Sequence, residues 1–142
     1  MLHPVQGKNR YWGPVAISAI TGKSTDEVSR MIRADSVRRQ VTHTELFELT
    51  RCLYQCGFHV EPFFEGRDLS PLPTVAGWLR MPRDPATIYL LDAGGRWVVV
   101  RGRKMADANH REPVFLRSYK QRRCRVRNAW SVTSVGRSLE QG

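Results

Sequence analysis

The chain has 142 residues, 41% hydrophobic and 25% charged, which suits one domain able to bury about two-thirds of its unfolded surface. No apolar run approaches the ~20 residues of a membrane span, and the N-terminus has no signal-peptide core, which predicts a soluble, cytoplasmic protein without a membrane partner. Three Cys form no close-paired framework, so a reducing compartment fits better than a disulfide scaffold, and neither repeats nor low-complexity segments occur.

The formal net charge of +10 is lopsided. Residues 1–71 carry nine Lys or Arg against eight Asp or Glu, whereas residues 72–142 carry fourteen against five. No acid occurs between Glu112 and Glu140, while Arg117, Lys120, Arg122, Arg123, Arg125 and Arg127 fall within eleven residues. Such a density attracts phosphates or acidic protein surfaces.

In chain order, Asn9 to Gly22 reads as a turn feeding a buried helix. Trp12-Gly13-Pro14 places Gly and Pro at a chain reversal, with Pro14 suited to a first helical turn. Val15, Ile17, Ala19 and Ile20 make that helix apolar on most faces, and Gly22 is its expected left-handed cap. Ser24-Thr25-Asp26-Glu27 is a capping box opening a second helix with Val28, Met31 and Ile32 on one face. Thr42-His43-Thr44-Glu45 repeats the device before a third helix carrying Leu46, Leu49, Leu53 and Cys56, ended by Gly57, which puts His43 in a first helical turn. A zinc site from His43, Cys52, Cys56 and His59 would match no usual ligand spacing. Cys52, Cys56 and Cys124 read instead as small core residues.

Phe58 to Phe64 is broken by Pro62 and reads as an edge strand or connector. Thr74 caps a short helix to Met81 that buries Val75, Trp78 and Leu79. From Ala86 the period becomes strand-like, and Asp92-Ala93-Gly94-Gly95 is a hairpin signal between Thr87–Leu91 and Trp97–Arg101. Trp97 to Val100 is apolar on both phases, the pattern of a central strand covered on both faces. Lys104 to Ala106 can pair back across Gly102. Arg123 to Val132 alternates, with Cys124, Val126, Asn128, Trp130 and Val132 on one face and Arg123, Arg125 and Arg127 on the other. The reading is a single α+β domain over 1–142, with a mainly helical half (1–81) and an antiparallel sheet half (86–134).

The Asn9–Gly22 segment resembles the nucleophile helix of papain-like cysteine peptidases, in particular small phage and bacterial relatives, in which Asp-Cys-Gly-Pro or Asn-Cys-Gly-Pro opens a helix ending in Thr-Gly. Here Trp12 stands where those proteins have Cys. Gln6 lies six residues earlier, the spacing of the family's oxyanion-hole glutamine. In the family the general-base His opens a central strand in a string like Gly-His-Trp-Val-Val-Val. This chain has Gly95-Arg96-Trp97-Val98-Val99-Val100, with Asp107 at the position of the residue that orients the imidazole. An Arg cannot serve as a general base and an indole carries no nucleophile.

The resemblance therefore implies a papain-like α+β fold without the activity, a pseudoenzyme, with Gln6, Trp12, Arg96 and Asp107 as vestigial positions. It implies a phage-related protein that works by binding a protein partner, as a virion component or in the host cytoplasm, with no cofactor or metal. Two alternatives stay open. One is a nucleic-acid-binding module using Arg117, Lys120, Arg122, Arg123, Arg125 and Arg127; the other is a cysteine hydrolase with relocated residues, for instance Cys124 with His110. His110 itself, among polar neighbours, reads as a solvent-exposed loop residue.

Overall fold

A computed structural model describes residues 2–9, 11–34, 41, 43–110, 112–115, 117, 119 and 123–135. Among them are four helices, α1 (Trp12–Thr21), α2 (Thr25–Arg33), α3 (Leu46–Gln55) and α4 (Val75–Leu79). Six strands accompany them: β1 (Phe58–Glu65), β2 (Ile88–Ala93), β3 (Arg96–Arg101), β4 (Lys104–Ala106), β5 (Val114–Phe115) and β6 (Val126–Ser134). The strands form one antiparallel sheet in the order β1-β6-β2-β3-β4-β5. The α+β class is as the sequence predicts. No helix among the described residues is long and apolar enough to cross a membrane.

The sheet is covered on both sides at its centre. On one face α1, α2 and α3 bury Ile17, Val28, Ile32, Leu49 and Leu53 against Leu90, Val99 and Val132. On the other, Val75 and Trp78 of α4, with Tyr119, cover Tyr89, Leu91, Val98, Val100 and Met105. Val98, Val99 and Val100 are each fully buried, as the unbroken apolar run of β3 requires, and each contributes roughly 1.5–3 kcal/mol by burial. Gly94 and Gly95 both take positive φ, +64° and +80°, in the turn that joins β2 to β3.

The helix starts differ in part from expectation. Ser24 accepts from the Glu27 N–H at 3.2 Å, but the Glu27 carboxylate turns to Lys23 Nζ at 3.6 Å instead of closing the box. At α3 the cap is Glu45, not Thr42: the box forms between Glu45 and Glu48, three residues further along the chain. Thr42 lies outside the described residues. His43 therefore precedes the helix, exposed, with Nε2 at 2.9 Å from Glu45 Oε1. A carboxylate reaches the free N–H groups of a first turn as a hydroxyl does, which is why either residue could hold the cap position. Cys56 forms the C-cap of α3 and Gly57 follows at φ +89°.

The expected alternation of the last strand is also broken. Ala93 pairs with Val126 and Asp92 with Asn128, which leaves Arg127 as the extra residue of a bulge. Across it the phase flips. Val126 and Ala129 face Leu91 and Tyr89, while Trp130 and Val132 face the α1–α3 side. β6 is an interior strand, inserted between β1 and β2, and beyond Arg127 the bulge ends the arginine alternation, with Asn128 next in the ladder. β1 is an edge strand, as Pro62 indicates.

The N-terminus of α1 is fixed by two contacts. Asn9 accepts from the Tyr11 N–H at 2.9 Å and donates through Nδ2 to Ser29 Oγ at 2.9 Å and to the Val41 carbonyl at 3.0 Å. Gly13 lies so close to the buried Thr44 that a Cβ there would overlap its side chain, and the Thr44 carbonyl accepts from the Trp97 indole N–H at 3.1 Å. Gly13→Ala is expected to destabilise the fold by about 1–3 kcal/mol through overpacking, despite the better helix former. Urea unfolding checks this: a midpoint at or above that of the parent chain refutes the close-approach role.

Candidate functional site

α1 starts at Trp12 and β3 starts at Arg96, and the packing of α1 over β3 brings these two ends together. The Arg96 guanidinium carbon lies 5.4 Å from the Trp12 ring centroid, over its face. Both side chains are half-buried. The attraction of the cation to the ring is worth about 0.5–1 kcal/mol in water and up to about 2 kcal/mol when desolvated. So the two positions that the sequence pairs, 84 residues apart, are neighbours in space, and they are occupied by groups that attract each other without any proton or electron pair to exchange.

Asp107 follows β4 on the same side of the sheet as Val98 and Met105. It is buried, 1% exposed, and its Oδ1 accepts from the Asn109 N–H at 3.0 Å and from His110 Nδ1 at 2.8 Å. Since a carboxylate oxygen accepts, His110 Nδ1 is the donor and Nε2 is the ring's remaining nitrogen. His110 is thus a partly buried ligand of Asp107, with 30% of its side chain exposed, rather than a free loop residue. The Asx turn from Asp107 to Asn109 folds the chain back on itself, and this brings His110 to the Asp107 carboxyl.

Tyr119 completes this group. Burial pushes its phenol pKa up, and the Asp107 charge and a hydrogen bond to Asp107 push it further, with Cys124 adding to the rise and Arg96 opposing it. Arg96, Asp107, Tyr119 and Cys124 therefore share one neighbourhood. From the sequence Tyr119 is only an aromatic residue accompanying the arginines, with no signal of its place beside Asp107. Gln6, by contrast, is exposed, and its role among the described residues is made by the backbone: its carbonyl accepts from the Thr25 N–H at 2.7 Å and fixes the entry to α2.

The basic residues separate. Arg117 lies over the exposed Phe115 ring, 5.6 Å from its centroid, at the β4–β5 edge. Arg123, Arg125 and Arg127 are exposed near the β2–β3 turn, where the Gly94 N–H bonds to the Arg125 carbonyl at 3.1 Å. Arg125 Nη1 donates to the Leu72 carbonyl at 2.6 Å, so that guanidinium is partly spent on holding the chain before α4. Phe115 is opposite Lys104, which is opposite Arg101, so Arg117 belongs to the far end of β3 from Arg96. Five residue rises of a strand separate the ends, roughly 17 Å. Lys120 and Arg122 lie outside the described residues.

Two of the three thiols are held in the protonated form. Cys52 is buried and its pKa is pushed up to about 12, chiefly by burial and then by Cys56. Cys56 is raised as well, again mainly by burial. Cys124 packs part-buried beside the Trp78 and Tyr89 cluster. No group of three or more His, Cys, Asp or Glu suited to a metal ion occurs among the described residues. In comparison with known proteins, no family model matches the chain and no curated protein matches it by sequence.

The thiol and phenol shifts set an alkaline limit on stability. A group whose pKa is higher folded than unfolded keeps its proton better when folded, so its contribution is present below the unfolded value, 9.0 for Cys52, and is lost as pH rises toward about 12. The urea midpoint is expected to fall between pH 8 and pH 10.5, with a smaller fall in Cys52→Ala; identical slopes for the two proteins would show that Cys52 is not responsible.

Proposed function

We propose that this protein is a catalytically inactive, papain-like domain that acts by binding a protein partner, with Trp12 and Arg96 forming the contact where the related enzymes carry their chemistry. The observation that supports it most is the Arg96 guanidinium seated over the Trp12 ring at 5.4 Å. A nucleophile and a general base are replaced by an aromatic face and a fixed cation, a combination suited to gripping an acidic or aromatic segment. The phage origin and the host or virion setting rest on the resemblance of the Trp12–Gly22 and Gly95–Val100 strings alone.

A relocated cysteine hydrolase is the weaker reading. Cys124 and His110 share the Tyr119 neighbourhood, but the His110 ring is engaged by Asp107. Hydrolysis of peptide amides above background, or alkylation of one thiol much faster than free cysteine at pH 7, would favour it.

Selection of displayed peptides on the purified protein tests the binding reading. Peptides rich in Asp, Glu and aromatic residues are expected to enrich, and to lose about tenfold or more in affinity to Arg96→Gln and to Trp12→Ala, as loss of a central charged or aromatic anchor does. Enrichment of peptides that bind both variants as tightly as the parent would place the contact elsewhere.

A further inference from the structure

At the far end of β3 from Trp12 lies a second cluster that the basic run alone does not disclose. Phe115, on the two-residue edge strand β5, is 50% exposed. Lys104 Nζ lies 5.3 Å from its ring centroid and the Arg117 guanidinium carbon 5.6 Å from it, so one exposed ring holds two cations within the sum of those distances of each other. Arg103, exposed at the β3–β4 turn where Gly102 takes φ +60°, immediately precedes Lys104. No ion pair joins Lys104, Arg103 or Arg117 to a carboxylate among the described residues.

Two exposed cations with no carboxylate partner among the described residues leave their charge open to an anion, and an exposed aromatic side chain exposes apolar area to water. Both are met by a ligand that supplies closely spaced anions together with a flat π-face. We propose that the Lys104–Phe115–Arg117 cluster is a contact site for single-stranded nucleic acid, in which Lys104, Arg117 and Arg103 meet successive phosphates and Phe115 meets a base. An acidic protein surface would satisfy the cations but meets the ring only where it also carries an aromatic side chain at the right spacing, whereas every nucleotide of a single strand carries a phosphate and a planar base together. A duplex satisfies the cations but keeps its bases stacked inside. The chain's +10 charge supplies long-range attraction for any polyanion, and the ring decides for the single strand. The proposal uses a different surface from the Trp12–Arg96 pair and stands or falls independently of it.

The test is fluorescence anisotropy of labelled oligo(dT) and of a duplex of equal length against the full chain, from about 20 to 200 mM salt. Oligo(dT) is expected to bind more tightly than the duplex. Phe115→Ser and Phe115→Leu are each expected to weaken oligo(dT) binding about fivefold or more while changing duplex binding little, since the ring acts on unstacked bases. Phe115→Leu keeps the apolar bulk at the edge strand, so it reports the ring even if Phe115→Ser does not fold. Lys104→Gln/Arg117→Gln is expected to reduce the slope of log affinity against log salt by about 1.4, two phosphate contacts on a single strand. The proposal is overturned if oligo(dT) does not bind at low salt, if duplex binds as tightly as oligo(dT), if Phe115→Leu leaves oligo(dT) affinity unchanged, or if Arg123→Gln/Arg127→Gln, at the other end of the sheet, removes the binding instead.

Discussion

Burial of β3 on both faces is the constraint from which the rest of the structure follows. Val98, Val99 and Val100 are fully enclosed, so neither face of the strand can carry chemistry. Water-facing function is pushed to its two ends. At one end the strand opens with Arg96, beneath the start of α1; at the other it closes with Arg101 and turns through Arg103 into Lys104. The candidate contacts of this protein are the two ends of a single buried strand. A strand of six residues holds them too far apart for one small ligand to span, so the two ends can serve separate partners.

The start of α1 is held with unusual redundancy for a helix that lacks a side-chain cap of its own. Asn9 ties the preceding loop to α2 and to Val41, and Gly13 admits Thr44, whose carbonyl in turn anchors Trp97 beside Arg96. These contacts fix Trp12 relative to β3 from two directions. A helix start fixed in this way is what an aimed nucleophile needs, and it is equally what a preorganised binding contact needs, because rigid aromatic anchors lose little entropy on association. The same framework is compatible with either use.

Asp107 shows how a local turn supplies partners to a buried carboxyl. Its carboxyl is buried beside the neighbourhood of Arg96, yet its Oδ1 accepts from Asn109 and His110, with the Tyr119 phenol close by. A buried carboxyl must find donors, and the nearest ones come from its own turn and from the chain that returns past β5. The resulting His110–Asp107–Tyr119 group stitches the β4–β5 connection to the sheet.

Much of this was legible in the sequence because it depends on local physics. The apolar run 97–100 demanded a two-sided strand, Gly94-Gly95 a tight hairpin, Gly22 a left-handed cap, and Thr74 a cap for α4, since each is decided by a few adjacent residues. The charge asymmetry and the absence of a nucleophile at Trp12 needed no structure either. Tertiary structure alone decided what distant segments do to one another. The bulge at Arg127 flipped the phase of β6, because register is set by the partner strand and not by the strand's own alternation. The order β1-β6-β2 placed that strand inside the sheet, and the reversal through β5 carried Arg117 away from Arg123, Arg125 and Arg127 to join Lys104 on Phe115. His110 reached Asp107, and Arg96 reached Trp12, by the same cause: hydrogen bonds and ring contacts are satisfied in space, where neighbours in sequence have no priority.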